Sequence, residues 1–271
     1  MSYLFLSCTE KKLENYVISL TSAHDRKAHI REQFNLKNIE FNFFDAVTPD
    51  NVEAVAWNLN FQIKNNILTV NELACFLSHF SLWNKIVNEN ISYMAIFEDD
   101  VYLSDSAEKF LYATDWIEGD IIKIEKVYKT VLLKNKKEKN IDGLKYFQGF
   151  LMKGHMGAGG YILSRNAAKK LIEYVKSLSE IDHVDQILFG KYLKNGEYPI
   201  VQINPAICIQ DCILNPDNQK FTTSLQWRGR KKTKYKLMQK VGIELKRVFI
   251  QLFELPYKTK IEFIMKNKSY F

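Results

Sequence analysis

The sequence predicts an α/β fold, a mainly parallel mixed sheet flanked by helices, and three observations carry that expectation. Strand-like and helix-like patterns alternate along the chain, which puts helices on both faces of a sheet. Residues 93–97 form an unbroken apolar run, as expected of a central strand covered on both sides. With 271 residues, 46% of them hydrophobic and 13% aromatic, the chain can bury one sizeable core, so fibrous and largely disordered classes are excluded.

Residues 15–20 (NYVISL) read as a first strand, and Ser22 with Asp25 has the pattern of a capping box for a helix through Phe34. Residues 39–44 (IEFNFF) alternate and end at Asp45, a second strand with a carboxylate at its carboxyl end. Asn71 is the expected cap of a helix that carries Leu73, Phe76, Leu77, Phe80, Trp83 and Val87 on one face. After the strand at 93–97 come another at 120–125 (DIIKIE), a charged loop at 134–140 (KNKKEKN) and an irregular segment at 154–160 (GHMGAGG). A strand resumes at 161–163, and Ser164 caps a helix with Ala168, Leu171, Ile172 and Val175 inward. Asp182 is the expected cap of a further helix to about Lys194, followed by short strands at 200–203 and 206–209 separated by Pro205. Neither a repeat nor a linker divides residues 1–227, which read as one domain.

Charge is uneven. Residues 228–271 hold 13 Lys and Arg against 3 Asp and Glu, so this segment carries +10 and residues 1–227 carry −3 of the formal +7. The cluster Arg228, Arg230, Lys231, Lys232, Lys234 and Lys236 leads into Val241, Leu245, Val248, Phe249, Leu252 and Phe253 at helical spacing, ended by Pro256. A basic amphipathic segment of this kind suits either a solvated face docked on the core or peripheral contact with an anionic membrane. No apolar run approaches the ~18 residues of a membrane-spanning helix. The N-terminal apolar patch falls short of the ~7–15 residues of a signal peptide. The expectation is a cytoplasmic protein, peripheral at the inner membrane face. Aromatic and basic residues do not interleave as in single-strand binders, which argues against a nucleic-acid partner. The four cysteines include no C-x-x-C pair, so reduced and mostly buried thiols are expected in place of a structural zinc site.

In sheets of this class ligands sit beyond the carboxyl ends of the strands, which selects Ser19, Leu20, Asp45 and above all Glu98, Asp99 and Asp100. Three consecutive carboxylates repel one another and are costly to bury without a positive partner. Along extended backbone Glu98 and Asp100 point one way and Asp99 the other. Two oxygen ligands could then converge on Mg2+ or Mn2+, ions that commonly share their shell with substrate phosphates. A solvated turn with helix-capping acids is the alternative account. His79, four residues after Cys75, has a metal-compatible spacing but lacks two further ligands. His155, between loop glycines, could reach the metal or an acceptor hydroxyl, but a lone loop histidine is expected to face solvent. The glycines at 154–160 precede a strand, unlike a dinucleotide fingerprint, which leaves a closing loop or an ordinary tight turn.

The same residues fall into ordered motifs: Tyr16-Val-Ile-Ser-Leu20 with Arg26, Phe44-Asp-Ala46, Glu72-Leu-Ala-Cys-Phe-Leu-Ser-His79, Phe97-Glu-Asp-Asp100 and Gly159-Gly-Tyr-Ile-Leu-Ser164. In that order, over residues 15–226, the chain resembles glycosyltransferase family 25, the bacterial lipooligosaccharide galactosyltransferases and relatives of the collagen galactosyltransferases. The resemblance implies a GT-A type, Rossmann-like domain, a uridine-diphosphate sugar donor, inversion at the anomeric carbon and a Mn2+ or Mg2+ ion. Asp100 would be the direct metal ligand, with Glu98 beside it. Ile18, Ser19, Leu20, Arg26, Asp45 and Ala46 would line the donor site, with Glu72, Ser78, His79, Glu98 and Asp99 nearby. An inverting transfer needs a base for the acceptor hydroxyl, normally a carboxylate. Asp182 and Asp185 are the candidates, although both also fit a capping box, and Asp185 matches the family's Val-Asp context. The expected activity is transfer of galactose to a lipooligosaccharide acceptor. Transfer of glucose or another hexose, or a non-catalytic nucleotide-sugar-binding module, are the alternatives.

Overall fold

A computed structural model describes residues 13–63, 67–221, 247 and 249–265. The chain opens with β1 (Leu13–Ser19), α1 (His24–Asn35) and β2 (Asn42–Asp45), then α2 (Val52–Asn58), α3 (Val70–Asn88) and β3 (Tyr93–Glu98). Next come β4 (Val101–Leu103), α4 (Ala107–Tyr112), β5 (Ile121–Lys123), the hairpin strands β6 (Thr130–Ile141) and β7 (Leu144–Leu151), β8 (Gly160–Ser164) and α5 (Arg165–Ser177). A helical run then joins α6 (Val184–Gln186), a π-helical stretch (Ile187–Tyr192) and α7 (Leu193–Asn195). It is followed by β9 (Ile200–Asn204), β10 (Cys208–Gln210), α8 (Asp211–Leu214) and, within the basic tail, β11 (Lys258–Lys260).

Among the described residues one nine-stranded sheet has the order β11-β6-β7-β9-β5-β8-β3-β1-β2, while β4 and β10 pair separately. The sheet is mixed: β7, β8 and β11 run against the other six strands, which share one direction. Along β3 successive side chains enter different cores. Met94 and Ile96 join the cluster built with α2, α3 and α5, while Ala95 and Phe97 join that of α1 and α4. Burial on both faces explains why Met94, Ala95, Ile96 and Phe97 are all apolar before the strand ends at Glu98. The architecture is therefore the α/β, Rossmann-like sheet with helices on both faces that the pattern predicts.

Several local expectations give way to different solutions. Ala23 precedes α1 and no side chain caps it, so Ser22 and Asp25 do not form a box. Thr69, not Asn71, caps α3: its hydroxyl accepts from the Glu72 N–H, and Glu72 accepts in return from the Thr69 N–H. Residues 134–140 belong to β6, not to a loop. Asp142 and Gly143, at φ 47° and 79°, make the two-residue turn into β7, the Asp-Gly signature of a hairpin. His183, not Asp182, occupies the position before α6, and Asp182 accepts from the His183 N–H.

The basic cluster at 228–236, with Val241, Leu245 and Val248, lies outside the described residues. The described part of the tail exposes Phe249, Leu252 and Phe253 and then rejoins the body. There β11 pairs antiparallel with β6, Ile261 is buried, and the Asn204 side chain donates to Lys260 O and accepts from Glu262 N. The sheet thus includes residues beyond 227. No helix among the described residues is long and apolar enough to cross a membrane.

Candidate active site

The carboxyl ends of β1 and β3 lie side by side, with Ile18 opposite Glu98, and the chain turns there through Asp99 and Asp100. The three acids divide in the directions that strand alternation predicts, although Asp99 and Asp100 already belong to the turn after β3. Asp99 turns toward α1, where it accepts from Ser19 Oγ at 2.7 Å and from Arg26 Nη1 at 2.6 Å. Glu98 and Asp100 turn the other way and share one donor, Gln210 Nε2 at the end of β10, at 2.7 and 3.2 Å. Asp99 and Asp100 are 9% and 6% exposed, which overturns the solvated-turn account. Burial, then the charges of Asp99 and Asp185, push Glu98 up to about 7; burial, then Glu98, do the same for Asp100. Two carboxylates gathered by one amide make a hard, all-oxygen donor set, which fits Mg2+ or Mn2+.

Below them lies a second layer that sequence reading missed. Lys123 and Glu125 are fully buried and paired at 3.0 Å, and Lys123 Nζ also donates to Gly157 O at 2.6 Å while lying 4.1 Å from the Phe189 ring centroid. Burial raises the Glu125 carboxyl to about 7 against the opposing charge of Lys123. Its Oε2 accepts from Gly159 N, and Gly159 O accepts from Glu98 N. The glycines permit this close approach: a Cβ on Gly159 would lie 2.7 Å from Gln210 Cγ and 2.9 Å from Glu125 Oε1. At Gly157, where φ is +80°, a Cβ would meet Val127 at 2.5 Å. The 154–160 segment is therefore pressed onto the acids. His155 is buried as well, contrary to expectation, with Nδ1 donating to Met156 O and the ring packed near Tyr128.

The remaining candidates separate into those at the cleft and those held elsewhere. Asp185 reaches the glycine segment: its Oδ2 accepts from Gly157 N at 3.0 Å and its Oδ1 from Gln186 N at 2.7 Å. Asp182 is held by Lys191 at 3.1 Å and by His183. Glu72 is buried beside the cleft, and the Thr69 and His183 hydrogen bonds outweigh burial and hold its carboxyl below the ordinary range. Burial, then the charges of Glu98, Asp185, Asp99 and Glu72, push up the thiol of Cys75, one turn on. Ser78 serves the scaffold, accepting from Val47 N and donating to Ala74 O. His79 is fully buried, its Nε2 3.6 Å from Glu98 Oε1. Ile18 is buried in the core and Leu20 is exposed at the strand end. Asp45 points outward, 69% exposed and paired with Lys27, while Ala46 N donates to Ser19 O. The assembled cleft offers a gathered pair of carboxylates, a guanidinium and a separate, backbone-held carboxylate.

Comparison with known proteins matches the chain to the profile of glycosyltransferase family 25 (LPS biosynthesis protein) over residues 12–188. A putative glycosyltransferase of Haemophilus influenzae is 37% identical over 259 residues, spanning 90% of this chain and 88% of that one. The lipooligosaccharide biosynthesis protein lex-1 of the same organism is 34% identical over 278 residues, spanning 87% and 89%. The lacto-N-neotetraose biosynthesis glycosyltransferase LgtE of Neisseria meningitidis is 32% identical over 249 residues, spanning 87% and 88%. A cleft of clustered acids at the carboxyl ends of β1 and β3, carried on a chain that matches the profile and these relatives over most of its length, belongs to a member of glycosyltransferase family 25.

Proposed function

We propose that this glycosyltransferase moves galactose, with inversion, from uridine-diphosphate galactose to a lipooligosaccharide acceptor in a reaction that depends on a divalent cation. The observation that carries the reading is the division of the acidic triplet: Glu98 and Asp100 gathered by Gln210, with Asp99 turned to Ser19 and Arg26. Glu98 and Asp100 would hold Mn2+ or Mg2+, which neutralises charge developing on a diphosphate leaving group. Arg26, fixed by Asp99, adds a second positive group at that edge of the cleft. Asp185 is the base for the acceptor hydroxyl, its oxygens oriented by the Gly157 and Gln186 N–H groups. The Lys191 and His183 partners of Asp182 support the choice of Asp185 over it. The galactose donor and the inverting GT-A chemistry rest on family resemblance.

Release of uridine diphosphate from a panel of uridine-diphosphate hexoses, with an oligosaccharide acceptor and with or without Mn2+, tests the reading. Galactose should be preferred, Asp100→Ala should abolish release, and Asp185→Asn should abolish it while sparing donor binding. A preference for glucose would favour the glucosyltransferase alternative. Donor binding without release would favour a non-catalytic module. Full activity in Asp185→Asn would move the base elsewhere.

Peripheral contact with the inner membrane is part of the same proposal. Phe249, Leu252 and Phe253 are exposed beside a strongly basic segment, the composition that suits an anionic lipid surface. Phe249→Ser with Phe253→Ser should weaken cosedimentation with phosphatidylglycerol vesicles and leave turnover on a soluble acceptor unchanged; undiminished vesicle binding would reject the role. Deleting 228–271 would be a poorer test because it removes β11.

A further inference from the structure

We propose that Cys75, His79 and Glu98 form a second cation site on the wall of this cleft, selective for a borderline-soft divalent ion such as Zn2+. Cys75 and His79 are one turn apart on α3, so both side chains leave the same helix face, and Glu98 ends β3 opposite them. One ligand atom from each lies within 4.8 Å of the other two. His79 Nε2 is fully buried with no hydrogen-bond partner, and it faces Glu98 Oε1 at 3.6 Å.

The other ring nitrogen, Nδ1, lies 2.8 Å from the Tyr161 hydroxyl, whose oxygen also accepts from Trp83 Nε1 at 2.9 Å. A metal-binding imidazole is commonly oriented through its second nitrogen in this way. With Nδ1 held at the Tyr161 hydroxyl, Nε2 is the ring nitrogen left to face the site. Cys75 is partly exposed, and the acids around it favour a cation. A thiolate, an imidazole and a carboxylate match Zn2+ better than Mg2+, and three protein ligands leave a fourth position open.

Glu98 is common to this set and to the pair with Asp100, so a soft ion bound here would withdraw one of the two oxygens assigned to Mn2+ or Mg2+. The ligand set itself does not depend on the transfer reading, because its test is spectroscopic. Titrating metal-free protein with Co2+ should produce a thiolate-to-cobalt charge-transfer band that saturates at one equivalent and disappears on adding Zn2+. Cys75→Ser should abolish the band, whereas Cys212→Ser and Asp100→Asn should retain it. His79→Gln should weaken Zn2+ binding by roughly tenfold or more. X-ray absorption at the zinc edge of the unaltered protein should show one sulfur among nitrogen and oxygen ligands. No band, a band surviving in Cys75→Ser, or a zinc shell with no sulfur or with two would overturn the assignment, whatever the outcome of the uridine-diphosphate assay.

Discussion

Replacing Asp100 by Asn should make the metal-free protein more stable at pH 8, because folding has forced the wild-type carboxyl toward neutrality. In the folded chain Asp100 titrates at about 7 in place of 3.8, driven by burial and then by Glu98. A carboxyl whose pKa rises on folding makes its full contribution below the unfolded value and loses it as pH climbs through the folded one. At 1.36 kcal/mol per pKa unit, that interval corresponds to about 4 kcal/mol for a group titrating alone. Glu98 shares the Gln210 amide and titrates with Asp100, so one neutral partner recovers roughly half, about 2 kcal/mol. Asn retains an oxygen to accept from Gln210, and the Asp100 carbonyl still accepts from Asp211 N. At roughly 2–4 °C per kcal/mol, melting followed by circular dichroism in chelator should rise by about 5 °C at pH 8, with the gap narrowing steadily toward pH 4. Adding Mn2+ should raise the wild-type midpoint and leave the variant's unmoved. A variant that melts at or below wild type at pH 8, or a gap that ignores pH, would refute the reasoning.

Three further substitutions probe the scaffold under the cleft. Lys123→Met leaves Glu125 without its buried countercharge and should cost about 3–5 kcal/mol in urea unfolding; an equal cost in a Glu125→Gln background would show that the pair is not coupled. Thr69→Ala removes the cap of α3 and should cost about 1 kcal/mol with an unchanged denaturant slope. Gly160→Ala places a Cβ 2.2 Å from Cys208 Sγ and should cost about 1–3 kcal/mol, most of it recovered by adding Cys208→Ala; no recovery would locate the strain elsewhere.

The parts of the molecule legible in the sequence are those governed by short-range pattern. Two-sided burial forces residues 93–97 to be apolar without interruption, so β3 and the acids that end it can be read directly. The opposed directions of Glu98 and Asp99 match the alternation of β3 carried one residue into the turn, where Ser19 and Arg26 hold Asp99. What escapes such reading depends on distant pairings. Lys123 and Glu125 look like the polar positions of an alternating strand, yet neighbouring strands and the glycine segment cover them completely. Gln210 has no local feature to mark it, because its role comes from β10 pairing beside β4. Residues 134–140 show the converse: seven polar residues suggest a loop, but the Asp142-Gly143 turn commits them to a hairpin whose charged side chains remain in water. That dipeptide was the available signal.

The two halves of β6 are guarded by different means. Its first half, with Val131 and Leu132, is apolar and meets β11, while its second half, with Lys134, Lys136, Lys137 and Lys139, is mostly exposed. Charge is enough to discourage foreign strands from the lysine half, but the apolar half needs a physical cover. That cover comes from far along the chain and emerges long after β6 itself, so a chain that is nascent or clipped before β11 presents a bare, sticky edge. Expression trials that trim the basic tail for solubility should therefore retain residues through Glu262, or they will create the aggregation they aim to prevent.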